Sequence, residues 1–108
     1  MRFTIPIKAP SLSNTRMGWQ KFASLKKRQK NATALCMRNL DIPKPPLLVI
    51  ITRVGPRKLD DDNLVGACKY IRDQIATIIG IDDGSPLYIW HYEQKIGSYS
   101  VEVEITSR

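Results

Sequence analysis

The run Leu47-Leu48-Val49-Ile50-Ile51-Thr52-Arg53 constrains this chain more than any other stretch. Its first five residues are apolar without a break, which is far short of the roughly 18 needed to span a membrane. A strand apolar on both faces belongs in the middle of a sheet with cover on both sides. The remaining residues must therefore supply flanking strands and helices that pack on them.

They do so in a readable order. Arg2 to Ile7 alternates Phe3, Ile5 and Ile7, a short strand that Pro6 confines to an edge or an end. "APSLSN" is a turn segment. From about Thr15 to Arg38, Trp19, Phe22, Leu25, Gln29, Ala32 and Cys36 recur at helical spacing among lysines and arginines. "DIPKPP" ends that helix. After Arg53, a second helix is predicted from about Asn63 to Ile79, capped from the Asp60–Asp62 side and stopped by Gly80. Leu64, Cys68, Ile71, Ile75 and Ile78 form its apolar stripe, and Asp62, Gly66, Lys69 and Asp73 a polar one. Leu87–Glu93 and Ser98–Ile105 read as two strands, the second with Tyr99, Val101, Val103 and Ile105 facing inward. The order β-α-β-α-β-β predicts one compact α/β (α+β) domain over residues 1–108, with a small mixed sheet of about four strands and two packed helices.

A chain of 108 residues, 43% of them hydrophobic, suits one such core and is too short for two. No apolar leader region opens the sequence, which predicts a cytoplasmic protein with no membrane association. Cys36 and Cys68 have no metal-ligand spacing and are expected to be reduced and buried.

Charge is distributed unevenly. Residues 1–40 hold nine basic side chains (Arg2, Lys8, Arg16, Lys21, Lys26, Lys27, Arg28, Lys30 and Arg38) and no acidic one; the remainder holds eight basic and ten acidic. The net +7 is thus +9 followed by −2, a pattern that points to a polyanion, most commonly nucleic acid.

Against this background "KLDDDNL", with Asp60, Asp61, Asp62 and Asn63 adjacent, is unexpected. In extended backbone Asp60 and Asp62 share a face, and two converging carboxylates are a minimal protein contribution to a Mg²⁺ site. Helix capping requires only one of the three. A second acidic pair, Asp82-Asp83, lies in "IGIDDGSP", where a plain turn is the simpler account. A straight helix would hold the two clusters about 25 Å apart, unless the following strand folds back beside the first. His91, the only histidine, reads as a sheet-face residue, and no Gly-rich phosphate loop supports a nucleotide cofactor.

The arrangement "LDDDNL", helix, "GIDDGSP" resembles the RusA-like family of Holliday-junction resolvases, common in phages and prophages. The early "APSLSN" and the closing "WHY" and "YSVEVEI" are similar too, so the likeness spans about residues 3 to 106. The resemblance implies a homodimer that cleaves branched DNA with Mg²⁺. It assigns Asp60, Asp62 and Asp83 as catalytic carboxylates holding the metal, with Asn63 and Asp82 in support. The family lysine one turn into the helix is matched here by Gly66; Lys69 on the same stripe, or Arg72, would then contact the scissile phosphate. Lys21, Lys26, Lys27, Arg28, Lys30 and Arg72 are the expected nucleic-acid contacts. The expected function is a Mg²⁺-dependent, structure-selective endodeoxyribonuclease; the alternatives are a non-catalytic branched-DNA binder of the same fold and a protein whose basic helix docks on an acidic partner.

Overall fold

The computed structural model describes residues 1–12 and 18–108. Ser13 and Asn14 of the expected turn, and the expected helix start at Thr15, lie outside them. The elements are β1 (Arg2–Ile5), α1 (Trp19–Met37), β2 (Leu47–Gly55), α2 (Asp61–Ala67), α3 (Lys69–Ile79), β3 (Tyr88–Ile96) and β4 (Ser100–Ser107). The strands form one mixed sheet in the order β1-β4-β2-β3. Strands β2 and β3 run parallel, with α2 and α3 as their crossover, and β4 is antiparallel to both β1 and β2.

The apolar run does become the interior strand, but its two faces are covered differently. Leu47, Val49 and Ile51 pack beneath the helices with Ile5, Val101, Val103 and Ile105 from the sheet and Leu64, Cys68, Ile71 and Ile75 from α2 and α3. On the opposite face no helix among the described residues lies over β2. Thr52 and Val54 are nevertheless buried there. The Lys95 ammonium on β3 reaches across β2 to the Glu102 carboxylate on β4, at 2.8 Å, and roofs them. Expected cover by a second layer is thus replaced by side chains of the flanking strands.

Other departures have local causes. Strand β1 stops at Ile5, because Pro6 has no N–H to continue the ladder. The single helix expected over 63–79 is two, broken at Cys68 (φ −93°, ψ 0°), whose N–H is shared between the Leu64 and Val65 carbonyls. Such sharing tightens a turn and redirects the axis. The buried stripe of α1 is Leu25, Gln29, Thr33 and Met37, which shares Leu25 and Gln29 with the predicted one; Phe22, Ala32 and Cys36 are half-buried and Trp19 is exposed. Two of those four are polar: Thr33 Oγ1 donates to Gln29 O within the helix (2.7 Å) and Gln29 Nε2 to Lys8 O across 21 positions (3.1 Å), while Gln29 Oε1 is buried with no hydrogen-bond partner among the described residues. Tyr99 precedes β4 and is exposed, not inward. Gly97 allows the tight crossing from β3 over the end of β2 to β4, since a Cβ there would lie 3.0 Å from Val54 Cγ1. No helix among the described residues is long and apolar enough to cross a membrane.

Full burial pushes the Cys68 thiol up to about 12 from its ordinary 9.0, although the nearby Arg53 charge lowers it. The fold therefore holds the proton more tightly than the unfolded chain. The resulting stability is present below pH 9 and is lost as pH rises toward 12, amounting to about 1.5 kcal/mol lost by pH 10. Cys68→Ala is expected to flatten this alkaline limb between pH 8 and 10 in denaturant titrations; an unchanged limb would place its origin elsewhere.

Candidate active site

Strand β2 leaves the sheet at Gly55 and delivers Leu59 to the end of β3, where the Gln94 carboxamide grips it from both sides. Leu59 N–H donates to Oε1 at 2.8 Å, and Nε2 donates to Leu59 O at 2.7 Å. Asp60 then sits in extended backbone at the N-cap of α2, its carbonyl accepting from Leu64 N–H at 2.8 Å. Its side chain makes no capping hydrogen bond. Asp61 and Asp62 occupy the first helical turn, and all three carboxylates are exposed. None of them forms an ion pair among the described residues. Because the helix has begun by Asp61, helical rotation rather than strand alternation sets the direction of Asp62 relative to Asp60, and the expected shared extended face is not present. Three negative charges here face the positive end of a short helix.

The second acidic pair follows the Gly80 C-cap of α3, a left-handed position at φ 84°. Asp82 folds over its own turn, Oδ2 accepting from Gly84 N–H at 3.1 Å. Asp83 is held by Arg72. The Arg72 Nε lies 3.3 Å from Asp83 Oδ2, an ion pair rather than a directed hydrogen bond, since Nε is buried without a hydrogen-bond partner. Its other nitrogens donate to Asp83 O (3.1 Å) and Tyr92 Oη (2.8 Å), and the guanidinium stacks 4.7 Å from the Trp90 ring. Trp90 Nε1 adds a bond to the same Asp83 carbonyl at 2.9 Å, and Tyr88 Oη one to Ile81 O at 3.0 Å. Burial, followed by the negative charges of Asp83 and Asp82, raises the Tyr88 phenol above its usual range. Arg72 is thus turned inward as a strut, its charge paired with Asp83.

Strand β3 therefore answers whether the two acidic clusters meet. Its inward side chains Tyr88, Trp90, Tyr92 and Gln94 form one ladder, with the Asp82–Asp83 turn at the Trp90 rung and the Asp60 helix start just beyond the Gln94 rung. Those rungs are about 13 Å apart along the strand. The clusters share one side of the molecule without merging. Among the described residues, no three His, Cys, Asp or Glu side chains are grouped closely enough to hold an ion together.

Of the remaining expected residues, Lys21, Lys26, Lys27, Arg28 and Lys69 are exposed, Lys30 and Asn63 half-buried. Lys26 lies 5.8 Å from the Tyr70 ring, and Lys30 lines a polar cavity of about 390 Å³ with Asp73, Asp82 and Asp83. Gly66 has open space where a Cβ would stand. His91 lies on the helix-free face of the sheet, 3.6 Å from Glu93, away from both acidic clusters.

Arg53 was not among the residues singled out from sequence. It is buried on β2, and its guanidinium donates to Ala9 O (2.7 Å) and Arg57 O (2.8 Å), binding the segment before α1 to the loop that carries the aspartates. An arginine inside an apolar strand was the available signal.

Comparison with models of protein families, with curated proteins and with solved structures returns no match for this chain.

The fit to Mg²⁺ is partial. Asp60 and Asp62 are exposed carboxylates, the group that holds this ion with water and phosphate oxygens, but they do not share the extended face expected of them. Asp83 pairs with Arg72 in the second cluster, and the three-carboxylate centre that the resemblance implies is not assembled among the described residues of this chain.

Proposed function

We propose that the protein is a Mg²⁺-dependent endodeoxyribonuclease that acts on Holliday junctions or related branched DNA in the cytoplasm, as a homodimer. The observation that carries this reading is the exposed set Asp60–Asp62: no side-chain capping bond from Asp60 and no ion pair accounts for their charge, yet Gln94 anchors their start to the sheet. Helix α1 supports it with exposed cations at 21, 26, 27 and 28 and no acidic residue along its length. Bound Mg²⁺ would supply charge neutralisation at the phosphodiester and an activated water. The chain itself would position that chemistry through Asp60 and Asp62, grip phosphates through α1, and steady the second acidic turn through Arg72 and Trp90. Lys69, exposed one turn beyond Gly66, is the cation left to meet the scissile phosphate. Two incisions on opposed strands require two copies, which symmetry supplies.

A second reading, a branched-DNA binder that does not cut, is favoured by Gly66 in the lysine position and by the Arg72–Asp83 ion pair. One assay separates them: incubation of a synthetic four-way junction with the protein and Mg²⁺ or EDTA, beside linear duplex. Paired, Mg²⁺-dependent nicks on the junction are expected. Binding without nicks selects the second reading, and no preference for the junction removes both. In the same assay Gly66→Lys, at a position where a Cβ meets nothing within 4 Å, is expected to raise the cutting rate about tenfold. It should also stabilise the helix by about 0.7 kcal/mol. An unchanged rate would show that this position has no role toward phosphate.

A further inference from the structure

Beside α1, on the margin away from α3, lies a cleft of about 690 Å³ between the helix and the segment Pro6–Pro10. Its apolar surface comes from Pro6, Ile7, Pro10 and Leu25, and its charge from Lys8, Lys21 and Arg28. No carboxylate among the described residues lines it. A mostly apolar concavity with a few placed polar groups is the usual form of a binding site, and here every charge has one sign.

The walls are held in advance of any ligand. Buried Gln29 fixes Lys8 O, buried Arg53 fixes Ala9 O, and Ile7 N–H donates to Ile5 O at 2.8 Å. The Lys8 ammonium rests over the Tyr99 ring, 4.6 Å from its centroid. Pro6 and Pro10 restrict the backbone further. Two fully or nearly fully buried polar side chains thus shape a non-regular segment whose own core contacts are limited to Ala9 and the half-buried Ile7.

We infer that this cleft binds one unpaired nucleotide of a DNA strand, its base against Pro6, Pro10 and Leu25 and its phosphate on Lys21 and Arg28. The ligand must be anionic and must carry an apolar face, and a nucleotide combines the two. The exposed cations at Lys26 and Lys27 continue the positive surface along α1, as a polymer of phosphates requires. The inference rests on the proposed action on DNA and adds a place for a base that is out of its pair.

The test uses a labelled eight-residue oligothymidylate and a fully paired four-way junction, with the full chain and Ser24→Trp. Ser24 is exposed on α1 and borders the cleft, so tryptophan fills it without entering the core. Wild type is expected to bind the oligothymidylate, and Ser24→Trp to weaken this about tenfold while junction binding stays within about twofold. Lys21→Gln, which removes charge without filling the cleft, should lower the salt slope for the oligothymidylate by about one. Equal oligothymidylate binding by wild type and Ser24→Trp overturns the inference, as does displacement by poly-glutamate as effective as by unlabelled oligothymidylate. Junction binding without oligothymidylate binding overturns the cleft alone, and binding to neither overturns the DNA reading with it.

Discussion

Asp62→Asn is expected to abolish Mg²⁺-dependent cutting of a four-way junction, a loss of at least a hundredfold, while junction affinity stays equal or rises. The substitution keeps the size and helix position of the side chain and removes one negative charge from an exposed cluster that faces solvent. A carboxylate that holds a metal cannot be replaced by a carboxamide without loss of affinity for the ion, and a carboxylate near a phosphate repels it until the ion is present. Activity and binding therefore move in opposite directions, which simple unfolding cannot produce. Cutting by the variant at the wild-type rate would remove Asp62 from the metal site and leave the cluster as a charged helix start.

The second large effect concerns stability. Arg53→Ala is expected to lower unfolding free energy by ~3 kcal/mol, since two carbonyls, those of Ala9 and Arg57, lose their donor and a buried volume is emptied. Thermal denaturation would show a fall on the order of 10–15 °C. Gly55→Ala acts on the same contact from the other side. A Cβ at Gly55 would lie 2.9 Å from Arg53 Nη1, so the guanidinium must shift and its bonds to the two carbonyls are expected to weaken. The pair should be strongly non-additive, the double variant costing little more than Arg53→Ala alone. Additive losses would mean that the two residues act separately.

Periodicity served well where packing is one-sided and the backbone regular. The alternation from Val101 to Ile105 and the run from Leu47 placed their strands correctly, because a period of two leaves few alternatives once one face is buried. Helix α1 was harder. Its buried stripe leaves the predicted one after Gln29 and runs through Thr33, whose hydroxyl bonds within the helix and carries no hydrophobic signal. The break at Cys68 depends on how one N–H is shared and has no counterpart in composition. At the candidate site the acidic residues themselves were legible as types out of keeping with a basic chain. What was not legible was their support. Trp90, Tyr92 and Gln94 recur at strand spacing on the inward face, yet their roles come from long-range bonds to Asp83, Arg72 and Leu59. Arg72 was read from helix position as a surface cation, and only the fold shows the Asp83 and Trp90 groups that draw it inward.

The grip of Gln94 on Leu59 has a kinetic meaning. A side-chain amide that donates and accepts with one residue reproduces the pairing of a strand, so Leu59 behaves as a rung of the sheet although it lies in a loop. Its amide proton should exchange with solvent on the timescale of β3 rather than that of its neighbours Arg57 and Lys58. The start of α2 is then expected to open together with β3, the edge strand that holds it, rather than with the loop before it.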